Sequence, residues 1–217
     1  MKTSLLSVWL LPGILTVSLS AALAEAQESR WSRLVKEDAP ILWWSFDGKD
    51  PGTPALAGDD AVLKSATAVA GEVKFGQAGP RRSTSPLFAV ENKGIEITSK
   101  VGVIKVTDPG EKSLIDFDKG DAITIEAWVK PDPFGGARYM YIVGKGRTYE
   151  KGFSRENHNY SLRLQGQGPD AVLSFLFRTR KTEKSAGDWH RWTSKEGFAV
   201  DKGWHHVAMT FEFGKAD

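Results

Sequence analysis

Apolar and polar residues alternate with a period of two along several stretches of the chain, which is the spacing of a β-strand with two different faces. The clearest stretch is 122–130. Its apolar face consists of Ile123, Ile125, Ala127 and Val129, and its other face of Thr124, Glu126 and Trp128. The segment 204–213 alternates in the same way and places His205, Val207, Met209, Phe211 and Phe213 on one face.

Shorter apolar runs, separated by glycine and proline, predict further strands. They are 41–46, 61–63, 71–76, 94–98, 139–144, 160–165 and 172–177. The run 172–177 is apolar at nearly every position, which predicts a strand covered on both faces. Many short strands with almost no helix predict an all-β fold, an antiparallel two-sheet sandwich or a barrel.

The sequence pattern of residues 1–24 predicts a secretory signal peptide. Lys2 precedes an apolar stretch, and small residues close it, so that cleavage is expected after Ala24 or Ala26. The alternative is a retained anchor, because the stretch nearly spans a bilayer, but Pro12 and Gly13 in its middle favour cleavage. We therefore expect an exported protein (periplasmic, cell-surface or extracellular) with no stable membrane span after cleavage.

Residues 25–40 form a polar segment between the signal peptide and the first apolar run. Trp31, Leu34 and Val35 fall at helical spacing, and Pro40 ends the pattern. The segment therefore predicts a short helix or linker that precedes a domain of residues 41–217.

Composition excludes several kinds of chemistry. The 217 residues contain no cysteine, which excludes thiol catalysis, thiolate zinc sites and iron–sulfur clusters. A net charge of +2 gives no electrostatic basis for nucleic acid as a partner. A chain of this length can bury a core without disulfides.

Three segments in order resemble the laminin-G-like, concanavalin A-like lectin jelly-roll family. The segment 42–48 is similar to a first-strand W-x-F-D signature, 119–131 to an f-T-i-x-x-W-v-k strand, and 203–211 to a W-H-H-V-A strand. The resemblance covers residues 41–217 and implies a jelly roll with two antiparallel sheets. The family pattern normally continues beyond its W-H-H-V strand. We therefore expect a C-terminally incomplete domain, a fragment with further domains downstream in the full-length protein.

The segment 178–197 is basic and carries interleaved aromatic residues. Trp, Arg and His side chains on a loop can bind a glycan or an acidic partner. The candidate ligand-binding residues are therefore Trp189, His190, Arg191 and Trp192. The alternative is a long hairpin whose Trp residues fold back onto the sandwich.

The remaining aromatic and histidine residues have structural interpretations beside functional ones. Trp128 could line a sugar-binding groove, but packing between the sheets is favoured, as it is for Trp43, Trp44 and Trp204. His205 and His206 point to opposite faces of one strand and so do not easily chelate one ion. We expect His205 to be a hydrogen-bonded core histidine.

Metal and catalytic signals are weak. The resemblance implies that Ca²⁺ is an optional cofactor, and Asp47, Asp50, Asp59 and Asp60 are acidic loop positions, although they lack EF-hand spacing and acidic loops are commonly just solvated. The metal therefore stays unknown. Glycosidases of this fold need two carboxylates across the scissile bond. The central strand offers Glu126 alone, so we identify no catalytic residue.

The resemblance and these residues together favour a non-catalytic exported binding or adhesion module that recognises a glycan or another surface polymer. One alternative is a structural accessory domain at the N-terminus of a larger exported protein. A jelly-roll glycoside hydrolase is the more distant alternative.

Overall fold

The computed structural model of the protein describes residues 29–46, 67–81, 83–97, 102–106, 110, 113–146, 158–179, 183–184 and 187–214. The predicted signal peptide, the predicted strand 61–63 and the four acidic loop positions between 47 and 60 lie outside these residues. Within them the helix is α1 (Arg30–Glu37), and the strands are β1 (Thr67–Ala70), β2 (Val73–Ala78), β3 (Lys93–Ile97), β4 (Val103–Val106), β5 (Ala122–Val129), β6 (Tyr139–Gly146), β7 (His158–Gln167), β8 (Asp170–Arg178), β9 (Trp189–Ala199) and β10 (His205–Glu212).

All strand pairings in the described part of the chain are antiparallel. Strands β6, β7, β8 and β9 form a four-stranded sheet in that order, while β5 pairs with β10, β1 with β4, and β2 with β3. The described residues are therefore mostly β, as the alternating pattern predicted.

The β5–β10 pair packs on one face of the four-stranded sheet. Ile123 of β5, Leu162 of β7 and Phe175 of β8 are each at most 6% exposed and form the centre of this core. Partly buried residues around them include Ile125, Met209 and Phe211 of the β5–β10 pair. The faces predicted for 122–130 and 204–213 are confirmed. Full burial of an aliphatic or Phe side chain contributes about 1.5–3 kcal/mol, so each of the three central residues stabilises the contact between the layers by about that amount.

Strand β8 is buried on both of its faces, as its continuous apolar run predicted. Ala171 and Phe175 face the β5–β10 pair, whereas Val172, Ser174 and Leu176 face the other way and are at most 3% exposed. The strand lies between β7 and β9. The side of the four-stranded sheet that points away from the core therefore also contains buried side chains.

Helix α1 packs on the opposite face of the β5–β10 pair. Ser29 caps the helix, since its hydroxyl accepts a hydrogen bond from the Ser32 backbone N–H at 3.0 Å. The Trp31 ring lies 5.9 Å from the Trp128 ring and 5.5 Å from the His206 ring. Phe88 contacts both tryptophans, at 5.5 Å and 5.0 Å. Trp128 is therefore structural, but it packs beneath α1 and not between the sheets as expected.

The loop before β5 is tied to β6 by an ion pair. Lys145, 8% exposed, donates a hydrogen bond to the Asp116 carboxylate, whose other oxygen accepts from the Ser113 N–H and hydroxyl at 2.9 and 3.0 Å. Burial raises the pKa of Asp116, but the hydrogen bonds from Lys145 and Ser113 outweigh it and hold that pKa below its ordinary value of 3.8. The folded state therefore favours the ionised carboxylate.

The predicted first strand, 41–46, is wrong. Of these residues Trp43 alone forms a β-bridge, and the rest form bends or irregular backbone. Ala39 and Phe46 have positive φ angles of 48° and 56°, which interrupt an extended backbone on either side of this segment. Strands β1, β4 and β9 were not predicted as strands.

Candidate ligand-binding face

The outer face is the side of the four-stranded sheet that points away from the β5–β10 pair. Residues directly opposite each other in an antiparallel sheet share a face, so the register defines its members. They include Tyr139, Tyr141, Ser161, Arg163, Gln165, Val172, Ser174, Leu176, Arg178, Trp189, Arg191 and Thr193.

One row of polar side chains crosses this outer face from edge to edge. Tyr141 of β6 pairs with Arg163 of β7, Arg163 with Ser174 of β8, and Ser174 with Thr193 of β9. Directly opposed residues have Cβ atoms about 4.5–5.5 Å apart, so each side chain in the row is within reach of the next.

Arg163 is the buried charge of this row. It is 3% exposed, and its guanidinium carbon lies 3.6 Å from the Tyr139 ring centroid and 5.7 Å from that of Tyr141. Its Nη1 donates a hydrogen bond to the Tyr141 hydroxyl oxygen at 3.2 Å. Its Nε and Nη2 have no hydrogen-bond partner among the described residues. Two nitrogens of a buried cation are thus without an acceptor in the described structure.

Ser174 adds a second buried polar group beside Arg163. The residue is 0% exposed, and within the described structure its hydroxyl oxygen has no hydrogen-bond partner. A buried polar group without a partner costs about 1–3 kcal/mol, and most such groups in folded proteins are satisfied. An arginine edge and a hydroxyl on adjacent strands are thus buried without hydrogen-bond partners among the described residues.

Exposed aromatic rings lie on the two edge strands of the same face. Tyr141 on β6 is 54% exposed, and Trp189 on β9 is 45% exposed. The Arg178 guanidinium lies 5.3 Å from the Trp189 ring centroid. Together with Arg163 and Arg191, Arg178 gives the face a positive character, which suits an acidic or hydroxyl-rich partner.

The four residues predicted to bind a ligand lie on strand β9 and not on a loop, which corrects that expectation. Strand alternation divides them into two pairs. Trp189 and Arg191 point to the outer face, in register with Arg178 and Leu176. His190 and Trp192 point to the core. The His190 ring lies 4.8 Å from the Phe177 ring, and Trp192 packs in the central cluster.

Trp192 has the packing of a core residue. Its ring centroid lies 4.6 Å from that of Phe211 on β10 and 5.5 Å from that of Phe177 on β8. Trp192 therefore folds back onto the sandwich, whereas Trp189 stays accessible. Trp192 therefore matches the interpretation in which a Trp folds back onto the sandwich, and Trp189 matches the ligand-binding interpretation. The two side chains lie on opposite sides of the sheet.

Sequence reasoning missed Tyr139, Tyr141, Arg163 and Ser174. The available signal was the two-sided burial predicted for 172–177, because it places Ser174 in a covered position. That burial extends to the neighbouring strand, where Ser161 is 1% and Arg163 3% exposed. The polar face of 160–165 looked solvated because its neighbours across the sheet were unknown.

The β5–β10 pair carries a second polar cluster beneath α1. The His206 Nε2 lies 3.3 Å from a Glu126 carboxylate oxygen. His205 points to the core, where its ring lies 4.2 Å from that of Phe198. Its Nε2 is buried without a hydrogen-bond partner in the described part of the chain, so the expected hydrogen bond is not made at that atom.

No group of three or more histidine and carboxylate side chains among the described residues is placed to hold a metal ion. The acidic positions considered for calcium, Asp47, Asp50, Asp59 and Asp60, lie outside those residues. Calcium binding thus stays a prediction.

The sandwich, with its two antiparallel layers and its polar outer face, belongs to the class of lectin-like β-sandwich domains. The family model described as the concanavalin A-like lectin/glucanases superfamily, of the third laminin-G type, matches residues 104–217, just over half of the chain. The chain therefore belongs to that superfamily. This match contains the second and third of the resembling segments, and the first, 42–48, lies outside it.

No curated protein matches the chain, and no solved structure matches it either. The superfamily includes glycosidases, although its laminin-G-type domains are usually non-catalytic. In the described part of the chain, no helix has the length and apolar character needed to cross a membrane.

Proposed function

We propose that the protein is an exported, non-catalytic module that binds a glycan through the outer face of its four-stranded sheet. The observation that carries this proposal is the exposed Tyr141 ring, which lies directly beside the unsatisfied, buried Arg163. Membership of a lectin-like superfamily supports a carbohydrate ligand, although a fold by itself does not define a function.

The chemistry of this face suits a sugar. An aromatic ring offers an apolar surface on which the C–H face of a sugar ring packs, while its polar tip remains available for hydrogen bonds. Tyr141 provides such a ring at one edge and Trp189 at the other. Arg163 and Ser174 provide the hydrogen-bonding groups between them, which fixes the orientation of a ligand.

The acidic residue considered for catalysis, Glu126, does not lie on the outer face. A glycosidase places two carboxyl groups about 5–9.5 Å apart across the scissile bond. Glu126, the carboxylate that the central strand offers, lies on the face that carries α1 and pairs with His206 at 3.3 Å. It is therefore separated from the outer face by the whole sandwich.

Binding of the full chain to an immobilised panel of neutral and acidic glycans tests the proposal. We expect at least one glycan to be retained and Tyr141→Ala to weaken its binding about tenfold or more, because the stacking surface is lost. Ile97→Ala is the matched control, since Ile97 is 48% exposed but lies on β3, in a different sheet. A chain that retains no glycan would overturn the proposal and favour a structural accessory domain.

The same panel, repeated in EDTA, tests the calcium prediction. Loss of binding that added Ca²⁺ restores would support a calcium-dependent site. Unchanged binding would indicate that the outer face recognises its ligand through the side chains described above.

A further inference from the structure

We infer that Arg163 and Ser174 form a carboxylate-binding site, and that the glycan bound by the outer face is an acidic one that contains uronic acid residues. This inference rests on the proposed function and specifies its ligand. The inference rests on Arg163 and Ser174, because these two buried polar side chains distinguish the outer face from an ordinary solvated sheet.

The free edge of Arg163 has the geometry of a carboxylate receptor. A guanidinium is planar, and its Nε–H and Nη2–H lie on one edge and point in nearly the same direction. These are the two atoms of Arg163 that have no hydrogen-bond partner among the described residues, whereas Nη1 is occupied by Tyr141. Two parallel N–H groups match the two oxygens of a carboxylate and form a bidentate pair.

The burial of Arg163 strengthens the case for an anionic ligand. A charge that is 3% exposed has lost most of its hydration, which is costly unless an opposite charge and hydrogen bonds replace the water. Within the described residues no carboxylate is paired with this guanidinium. A ligand carboxylate supplies both the missing charge and the missing acceptors.

The neighbours of Arg163 hold its free edge in place. The Tyr139 ring stacks on the guanidinium face at 3.6 Å, which leaves the edge of the guanidinium plane unobstructed by that ring. The Tyr141 hydroxyl fixes Nη1. The Ser174 hydroxyl lies directly across the strand pair, is as deeply buried as Arg163, and also has no hydrogen-bond partner among the described residues. The receptor is thus preorganised on three adjacent strands.

The position of Tyr141 links the carboxylate to a sugar ring. Its hydroxyl bonds to Arg163, while the residue as a whole is 54% exposed. A uronic acid carries its carboxylate directly on the sugar ring, so one residue of the polymer can stack on Tyr141 while its carboxylate reaches Arg163. A neutral sugar would use the ring alone and leave the buried charge unpaired.

Calorimetric titration of the full chain with three probes tests this inference. The probes are an oligogalacturonate, its carboxyl-reduced counterpart, in which each carboxylate is a primary alcohol, and dextran sulfate. We expect the oligogalacturonate to bind about tenfold or more tightly than the reduced form, because charge-assisted hydrogen bonds are stronger than neutral ones. Arg163→Gln should abolish that preference, because it removes the charge and the planar fork, and Arg163→Lys should reduce it, because it keeps the charge but not the fork.

Arg33→Gln is the matched control, because it removes the same charge from the exposed side of α1 and should leave the preference intact. If Arg163→Gln does not fold, Arg163→Lys and the rise in melting temperature of the wild-type protein with each probe still measure the preference. Equal binding of the uronate and its reduced form would overturn the inference and leave glycan binding standing. Equally tight dextran sulfate binding that persists in Arg163→Gln would also overturn it, since general positive charge would then explain recognition. No binding to any glycan would instead overturn the proposed function itself.

Discussion

The guanidinium of Arg163 on β7 lies 3.6 Å from the ring centroid of Tyr139 on β6, so that an aromatic ring covers one face of a buried cation. This contact spans two strands of the same sheet and places the cation beneath the ring of its neighbour. It explains how a β-sheet retains a charged side chain that is 3% exposed, because the ring quadrupole replaces part of the lost hydration.

Replacing Tyr139 should therefore destabilise the protein through Arg163. Tyr139→Leu removes the ring and should lower the free energy of unfolding by about 1–2 kcal/mol beyond the small change in apolar area. Tyr139→Phe keeps the ring and should stay close to wild type. Urea denaturation monitored by circular dichroism measures both. Equal stability of the Leu and Phe variants would show that the stack contributes nothing.

The two tryptophans of β9 should respond oppositely to truncation. Trp192→Ala removes a ring from the aromatic core and should cost about 3–5 kcal/mol. Trp189→Ala removes a ring that is 45% exposed and contacts Arg178, so it should cost no more than about 1 kcal/mol. Thermal melting and glycan binding, measured on both variants, separate stability from recognition. A Trp192 variant as stable as wild type would contradict the placement of that ring in the core.

Acid should destabilise the protein partly through Asp116. Because the pKa of Asp116 is lower in the folded state than its ordinary value of 3.8, the folded protein binds fewer protons there than the unfolded chain. The stability that Asp116 contributes is fully present above the pKa that it has in the unfolded chain. That stability is lost as the pH falls through the pKa that Asp116 has in the folded protein. Asp116→Asn should cost about 1.5–3 kcal/mol at pH 7, because it removes the Asp116 carboxylate from its ion pair with Lys145 and from its hydrogen bonds with Ser113, and this cost should shrink on acidification below a pH of about 4.

Exposed Asp132 provides the control for this pH dependence. Asp132→Asn should leave the stability profile between about pH 7 and pH 3 nearly unchanged, since exposed carboxylates contribute little. Denaturant unfolding at several pH values measures all three proteins. An Asp116→Asn variant that loses as much stability on acidification as wild type would show that another group governs the acid response.

Helix α1 should be required for the stability of the sandwich. Trp31→Ala removes the ring that covers Trp128 and His206 and should cost about 1.5–3 kcal/mol of lost apolar burial. Arg33→Ala changes an exposed side chain of the same helix and should cost less than about 0.5 kcal/mol. Differential scanning calorimetry compares the two. Similar melting temperatures for both variants would mean that the helix is not held by Trp31.

The sandwich core could be predicted because one face of each of its main strands is apolar. In 122–130 and 204–213 the period of two marks the buried side without ambiguity, and Ile123 and Phe211 lie where it places them. Strand β9 was not predicted because neither of its faces is uniformly polar or apolar. Trp189 and Arg191 point outward, and the inward face likewise mixes polar and aromatic side chains. A register shift between Val172 and Ser174 of β8 further interrupts the pairing with β9.

The carboxylate receptor could not be predicted from the sequence because it exists only in the register of three strands. Arg163 alternates with Leu162 and Leu164 and therefore looks like an ordinary solvated position on a half-buried strand. Its burial depends on Tyr139 of β6, and its nearest hydroxyl on β8 comes from Ser174, neither of which is adjacent in sequence. The segment 41–46, where the strand prediction is wrong, is bounded by positive φ angles at Ala39 and Phe46, which a hydrophobic pattern does not encode.

The most direct test of ligand binding at the outer face is an NMR titration of the full chain with oligogalacturonate that follows the Arg163 Nε–H resonance, assigned with the Arg163→Lys variant. The account predicts a saturable shift of that resonance, accompanied by shifts of backbone amides in β6, β7 and β8. An Arg163 Nε–H signal that does not move while the ligand perturbs amides elsewhere, or a spectrum that does not change at all, would contradict it.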